Sequence, residues 1–390
     1  MIYEQAEAIL AETLAPLPTT DFFNALGKGS FSVKGGAVQL RQKLFGDDPR
    51  RSLLNGYSTH ASKLDWHAKS PTQQPPALRP VSSSEDFLAL IRSFQDRGYT
   101  VRVPEVVPLA PKLQQFVRAL EFMIRGTVGA GVFWSAAGAE APVHYDKPHN
   151  IAVQLEGRKR WFISTDAPGL QNKWMQVGEP LPSVERHQVI DVEPGDLIYI
   201  PGGTAHTVES TTESLHLAIV FEPMTVREAL IAAVDFLSDN DRALRETAIG
   251  RVQDADLHGL SNRMADGLGR LLTYCRSEEF LKAAMDMRWS RMTADLPPLP
   301  KHATTVEVNR DTRVQQSPLA IAYLRHSFGS LDFSQPGGHL PVHPGVEPEL
   351  QFIASTDSFT VADLPGGSGE EVKIALVKRL VESGFLEVVA

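Results

Sequence analysis

The sequence predicts an α+β protein: an antiparallel β-barrel or sandwich in its middle, a helical segment after it, and a winged-helix-like module at the end. Three observations carry this. Between Gly131 and about Phe221, strand-like runs alternate with Gly/Pro turns: "GVFWS", "NIAVQLEG", "KRWFIS", "HQVIDVEPG", "DLIYIPGG", "LHLAIVF". From Thr225 to about Trp289 the apolar spacing turns helical. Finally, "EEVKIALVKRLVES" followed by "FLEVV" closes the chain with a helix and a strand. The expected domains are 1–223, 224–295 and 300–390, and 390 residues suffice for two or three of them.

The elements follow in chain order. Residues 1–70 read as short helices and strands, with "FSVKGG" at 31–36 a strand running into a turn. "SPTQQPPALRP" (70–80) is a Pro-rich surface loop. "SSSEDFLALIRSFQDRG" carries Ser caps, acids in its first turn and a terminal Gly98, so it is a capped helix. "PKLQQFVRALEFMIRG" is a second helix, opened by Pro111 and stopped by Gly126. After the strands, Leu230, Val234 and Leu237 share one helical face, and Leu260, Met264, Leu268 and Leu272 another. "LPPLP" (296–300) breaks the helical pattern, and "QPGGHLPVHPGVEP" (335–348) reads as a second flexible stretch. In the last piece Val372, Leu376 and Leu380 form the expected core stripe, and the outline is helix, helix, helix, strand.

Composition excludes some classes. Lys+Arg 38 against Asp+Glu 47 gives a net charge of -9, which disfavours broad contact with nucleic acid or anionic membrane. Residues 301–390 hold seven Lys and Arg against eleven Asp and Glu, so the terminal module lacks the basic surplus of a DNA reader. It reads as a packing or protein-interaction module. "GGSGEE" lacks the Lys-Ser/Thr of a phosphate loop. One cysteine, Cys275, forms no intrachain disulfide, and a reducing, cytoplasmic setting is expected. The first residues carry acids and no basic region, so no signal peptide is expected, and no apolar run nears the roughly 20 residues of a membrane span.

The chemistry concentrates around "HYDKPHN". Residues i and i+2 of a strand face the same side, so His144 and Asp146 project together. His206 follows "PGDLIYIPGGTA", a turn, an apolar strand and a small loop, and supplies a third ligand from a neighbouring strand. Two imidazoles and one carboxylate on one face of an octahedron bind Fe(II) and leave three positions open; zinc with the same ligands prefers a tetrahedral site with one water. His149 is a rival ligand, better placed in the turn or on the substrate side. His187 and His216 are weaker rivals, with His216 inside the barrel near the site.

Lys159 is the second feature. After the turn at Gly157, Lys159, Trp161 and Ile163 share one parity, and Arg158, Arg160 and Phe162 the other. The Trp and Ile turn Lys159 inward. A buried ammonium needs an anion, and no acid shares that face; the alternative is a surface Lys between two Arg on a solvated strand.

"HYDKPHNIAVQLEGRKRWFI", "PGDLIYIPGGTAH" and "SLHLAIVF" resemble the JmjC/cupin-type Fe(II)/2-oxoglutarate oxygenases, and within them the bacterial ribosomal oxygenase (cupin-4) branch. The resemblance covers about residues 20–222 and extends more loosely to the helical and winged-helix segments. It implies a double-stranded β-helix (JmjC/cupin jelly roll); the helical segment 225–290 is read as a dimerisation segment of a homodimer, with an intramolecular cap on the barrel as the alternative. It implies His144, Asp146 and His206 as iron ligands and Lys159 on the 5-carboxylate of 2-oxoglutarate. Asn150 falls on the cosubstrate side, and Ser135 takes the place of a Thr hydroxyl in "VFWSAAGAEAP", where Phe133 and Trp134 depart from the family's pattern. The implied activity is hydroxylation of a protein or peptide side chain, ribosomal or not. A small-molecule hydroxylase and a non-catalytic metal-binding cupin are the alternatives. The small, apolar loop at 136–142 leaves the small-molecule reading open.

Overall fold

The strand-like runs between the Gly and Pro turns form two antiparallel sheets. In the computed structural model, which describes residues 1–169, 182–248, 256–300, 307–327 and 329–389, ten of its strands belong to this part: β1 (Phe31–Val33), β2 (Asp65–His67), β3 (Thr100–Val103), β4 (Thr127–Ser135), β5 (His149–Glu156), β6 (Lys159–Ser164), β7 (His187–Val192), β8 (Leu197–Ile200), β9 (His206–Ser210) and β10 (Ser214–Glu222). The large sheet runs β1-β8-β5-β10-β4-β3-β2 and the small one β7-β6-β9. The chain crosses between them from β5 to β6, from β7 to β8, from β8 to β9 and from β9 to β10, which is the jelly-roll arrangement. The chain divides into two compact units, Tyr3–Pro223 and Met224–Ala390 with Met1–Ile2.

The sheets meet through Ala152, Ile198 and Ile200 on one side and Trp161, Ile163, Val192 and Val208 on the other. The reverse face of the large sheet is also buried: Ile151, Val153, Leu217, Ile219 and Phe221 are at most 1% exposed. Burial on both faces explains why "NIAVQL" and "LHLAIVF" read as continuous apolar runs rather than alternating ones.

The helices follow their sequence signals. Ser83 caps Ser84–Gln95 by accepting the Asp86 N–H at 3.2 Å. Pro111–Ile124 ends in a left-handed Arg125 (φ 47°) rather than a left-handed glycine. Gly126 serves close approach instead: a Cβ there would collide with the Glu222 carbonyl. Gly157 needs both freedoms, with φ 67° and the Glu213 carbonyl against the space a Cβ would fill. It makes the tight reversal between β5 and β6.

In the other unit three helices come first: Val226–Asn240 with a Thr225/Glu228 capping box, Leu257–Tyr274 and Glu278–Asp295. Their shared core is Ala233, Leu237 and Leu271. The expected stripes are mostly on the outside: Leu230, Val234, Met264, Leu268 and Leu272 are 43–62% exposed. Beyond them come β11 (Arg313–Gln316), β12 (Tyr323–Ser327), β13 (Ser330–Gln335), β14 (Gly338–Val342), β15 (Ser358–Thr360) and β16 (Leu386–Val388). They form the sheets β15-β11-β16 and β12-β13-β14, accompanied by helices Glu347–Ser355 and Glu370–Glu382 and a 3-10 turn at Val361–Asp363.

Two expectations fail here. The stretch 335–348 is not a flexible linker: Pro336 and Gly337 turn a hairpin, and Pro341 sits on edge strand β14, where a missing N–H costs no ladder bond. Val372 is 46% exposed although Leu376 and Leu380 are buried. Steps of four residues overshoot a turn by about 40° each, so the first member of the stripe rotates out of the core; Val377 completes it instead. No helix among the described residues is long and apolar enough to cross a membrane.

Candidate metal centre

His144 lies in an irregular stretch before β5, yet its position is fixed. It forms an isolated antiparallel bridge with His206, the first residue of β9. His144 N–H donates to the His206 carbonyl at 3.0 Å, and His206 N–H donates back at 2.8 Å. Asp146 is tied by its carbonyl, which accepts the N–H of Gly203 at 2.7 Å. Backbone pairing alone therefore brings "HYD" against "TAH". One potential ligand atom from each of His144, Asp146 and His206 lies within 4.8 Å of the other two. His206 Nε2 stands 3.8 Å from Asp146 Oδ2.

Both imidazoles are oriented for a cation. His144 Nδ1 donates to the Pro142 carbonyl at 2.8 Å, and His206 Nδ1 to the Thr204 carbonyl at 3.0 Å. A carbonyl only accepts, so each Nδ1 carries the proton and each Nε2 presents a lone pair. Burial, with His144 beside it, pushes His206 down to about 4, which keeps it neutral. Two imidazoles and a carboxylate suit a divalent first-row ion, so the residues fit the Fe(II) expected of them.

Behind the triad the barrel is polar where a core is normally apolar. Lys159 is 2% exposed, and burial alone pushes it down to about 7. Its Nζ donates to Ser135 Oγ at 2.8 Å, and the same oxygen accepts from Thr100 Oγ1 at 3.0 Å. Among the described residues no carboxylate is paired with Lys159. Asn150, on β5, faces this interior beside Ala152 and Gln154, and its Oδ1 is buried without a partner. An ammonium and an amide oxygen left like this are groups awaiting a ligand.

Of the rival histidines, His149 turns away. Its Nδ1 meets Tyr199 Oη at 2.6 Å, and its ring stacks on Tyr199 and Phe221 on the opposite face of the sheet. It therefore lies neither in the turn nor on the substrate side. His187 is exposed, and its Nδ1 donates to the Val184 carbonyl at 2.6 Å. His216 is inside, stacked on Phe133 at 4.8 Å. His67 enters unannounced: on edge strand β2 it contacts Phe133 at 5.7 Å, and burial together with His144 and Lys159 pushes it down to about 4. Thr100 on β3 was also unmarked. Both sit on strands of three or four residues, too short to show a period.

Residues 109–229 match the JmjC domain model. Ribosomal oxygenase 2 of Rattus norvegicus is 31% identical over 137 residues, 34% of this chain and 29% of that protein. The bifunctional lysine-specific demethylase and histidyl-hydroxylase NO66 of Dictyostelium discoideum is 25% identical over 230 residues, 55% of this chain and 43% of the other. The chain thus spans less than half the length of these curated relatives. The Escherichia coli ribosomal oxygenase YcfD, solved with cobalt and 2-oxoglutarate, superposes with a TM-score of 0.57 at 18% identity, covering 96% of this chain and 99% of that one. The fold is therefore shared along nearly the whole chain, and residues 109–229 mark it as similar to the JmjC oxygenases of the ribosomal oxygenase branch.

Proposed function

We propose that this chain is an Fe(II)- and 2-oxoglutarate-dependent dioxygenase that hydroxylates a side chain of a protein or peptide, ribosomal proteins included. One observation carries the reading: a two-histidine, one-carboxylate cluster and a buried lysine without an acid line the same barrel interior. The E. coli protein of the same fold was solved with cobalt and 2-oxoglutarate, and the names of the rat and Dictyostelium relatives point to protein substrates.

Iron with bound 2-oxoglutarate supplies oxidation of a C–H bond by dioxygen, with succinate and carbon dioxide as co-products. The chain's own residues do the placing. His144, Asp146 and His206 hold the ion and leave coordination positions free. Lys159, steadied by Ser135, takes the distal carboxylate of the cosubstrate, and Asn150 faces its path. Trp161, Ile163 and Ala152 line the rest of the interior and exclude water.

The finer architecture belongs to the same reading. The helical segment 224–295 pairs with a second copy through its exposed leucines, giving a homodimer. Residues 300–390 act as a winged-helix-like packing or interaction module without a nucleic-acid role, and the single cysteine suits the cytoplasm. The test is anaerobic titration of apo-protein with Fe(II) and 2-oxoglutarate, followed by the weak visible metal-to-ligand charge-transfer band. The band is expected in the wild type and absent from His206→Ala. A wild-type protein without it is not this enzyme.

A further inference from the structure

The barrel interior is layered by register. Lys159 pairs with Ser210 and reaches Ser135, which pairs with Ser214. Two residues along, Trp161 pairs with Val208, and His216 pairs with Phe133. Two further along, Ile163 pairs with His206. The Trp161–Phe133–His216 layer therefore lies between the lysine and the metal triad. The ring contacts agree: Trp161 stands 5.6 Å from His216 and 5.8 Å from His206.

His216 is the polar member of this middle layer. It is 4% exposed, and its ring lies parallel to Phe133 within 2° while Trp161 meets it edge-on at 77°. These contacts fix the plane of the imidazole. Its Nδ1 is buried and has no partner in the protein. Burial, then Lys159, His67 and His206, hold the ring neutral. A packed core would have put a leucine here, or given the nitrogen a carbonyl.

We infer that His216 is a cosubstrate-contacting residue whose Nδ1 donates a hydrogen bond to an oxygen of the dicarboxylate stretched between Lys159 and the metal. This rests on the oxygenase reading. Lys159 anchors one end of the ligand and the ion chelates the other; His216 reads the ligand between them and sets the spacing of oxygens that the site accepts. Nothing covalent happens at His216, and no proton leaves it.

The experiment is calorimetric titration of 2-oxoglutarate into Co(II)-loaded protein, with Co(II) affinity and melting temperature measured alongside. His216→Phe keeps the stack on Phe133 and removes the nitrogen. Expected is unchanged Co(II) affinity and melting temperature with 2-oxoglutarate bound roughly tenfold to a hundredfold more weakly, the loss of a hydrogen bond to a charged group. His216→Gln restores a donor and is expected to recover most of that loss, which a purely structural role would not allow. Binding of 2-oxoglutarate by His216→Phe within about twofold of wild type overturns the inference. If His216→Phe does not fold, His216→Leu and His216→Gln are compared instead, and equal affinities overturn it. A wild-type protein that binds Co(II) but no 2-oxoglutarate brings down the oxygenase reading itself, a separate outcome.

Discussion

Two regions of this protein break the ordinary rule of inside and outside, in opposite senses. The barrel interior buries Lys159 with no carboxylate paired to it among the described residues, and Asn150 and His216 each with a polar atom that has no protein partner. The helical segment leaves Leu230, Val234, Met264, Leu268 and Leu272 open on its surface. Each departure marks a missing partner, and the chemistry of the departure says which kind. A lone ammonium and a lone imidazole in a narrow interior call for a small anionic ligand. A row of leucines on two helices calls for another apolar protein surface. The first region is specified by individual polar atoms; the second works by area.

Predictions follow this contrast from the largest effect down. Asp146→Ala or His206→Ala removes one of the proposed ligands, and Mn(II) or Co(II) affinity is expected to fall by more than the roughly 100-fold ceiling seen for outer-shell changes; calorimetry reads it. Retained metal affinity in both variants would move the metal elsewhere. Lys159→Met leaves the metal site whole but strips the anion anchor. Its expected signature is intact Co(II) binding with 2-oxoglutarate weakened by roughly 30-fold to 1000-fold, the range for losing one partner of a buried charge pair.

The pH dependence of Lys159 sharpens the comparison further, because stability and binding move in opposite directions. In the free protein Lys159 titrates at about 7, below the 10.5 of an exposed lysine. The unfolded chain then holds more protons between these values, so apo-protein stability rises with pH from about 7 to about 10, by at most about 1.4 kcal/mol per unit. An anion prefers the charged lysine, so 2-oxoglutarate affinity falls over the same window, by up to about tenfold per unit. Thermal melts and titrations at pH 6.5, 7.5 and 8.5 check both signs, and Lys159→Arg should flatten them. The smallest expected effect belongs to the helical face. On the proposed homodimer, Leu268→Glu is expected to shift the chain toward monomer in light scattering, with 2-oxoglutarate affinity within about twofold of wild type, since single exposed substitutions change fold stability little.

Much of the site was legible because strands have a strict period. Alternation with Trp161 and Ile163 pointed Lys159 inward without deciding it, since Phe162 gives the other face an aromatic too, and the observed burial along β6 settles the direction. The triad was legible because "PGDLIYIPGGTAH" is punctuated so sharply that the strand opening at His206 has no room to drift. His67 was not, because its three-residue strand sits on the sheet edge and its relevance arises only through β3 and Phe133. The hairpin of β13 and β14 was hidden for a different reason. Its Gly and Pro residues are the same ones that mark a linker, and only pairing to a partner strand tells the two apart. On the helices, spacing found the stripes but not what they face, since an apolar face looks the same whether it meets its own core or another molecule.

The reversal at Gly157 carries one more consequence. Both parities of "RKRWF" contain a cation followed by an aromatic, so sliding β6 by one position would bury Arg160 and Phe162 in place of Lys159 and Trp161. Hydrophobic pattern alone scarcely opposes that error. What does is outside: Arg160 holds Asp191 at 2.7 Å, Arg158 holds Glu193 at 3.1 Å, and the glycine fits only where Glu213 crowds it. Such exposed ion pairs add little to stability. Here they act as a key that admits one of three neighbouring cations to the interior and keeps the other two in water.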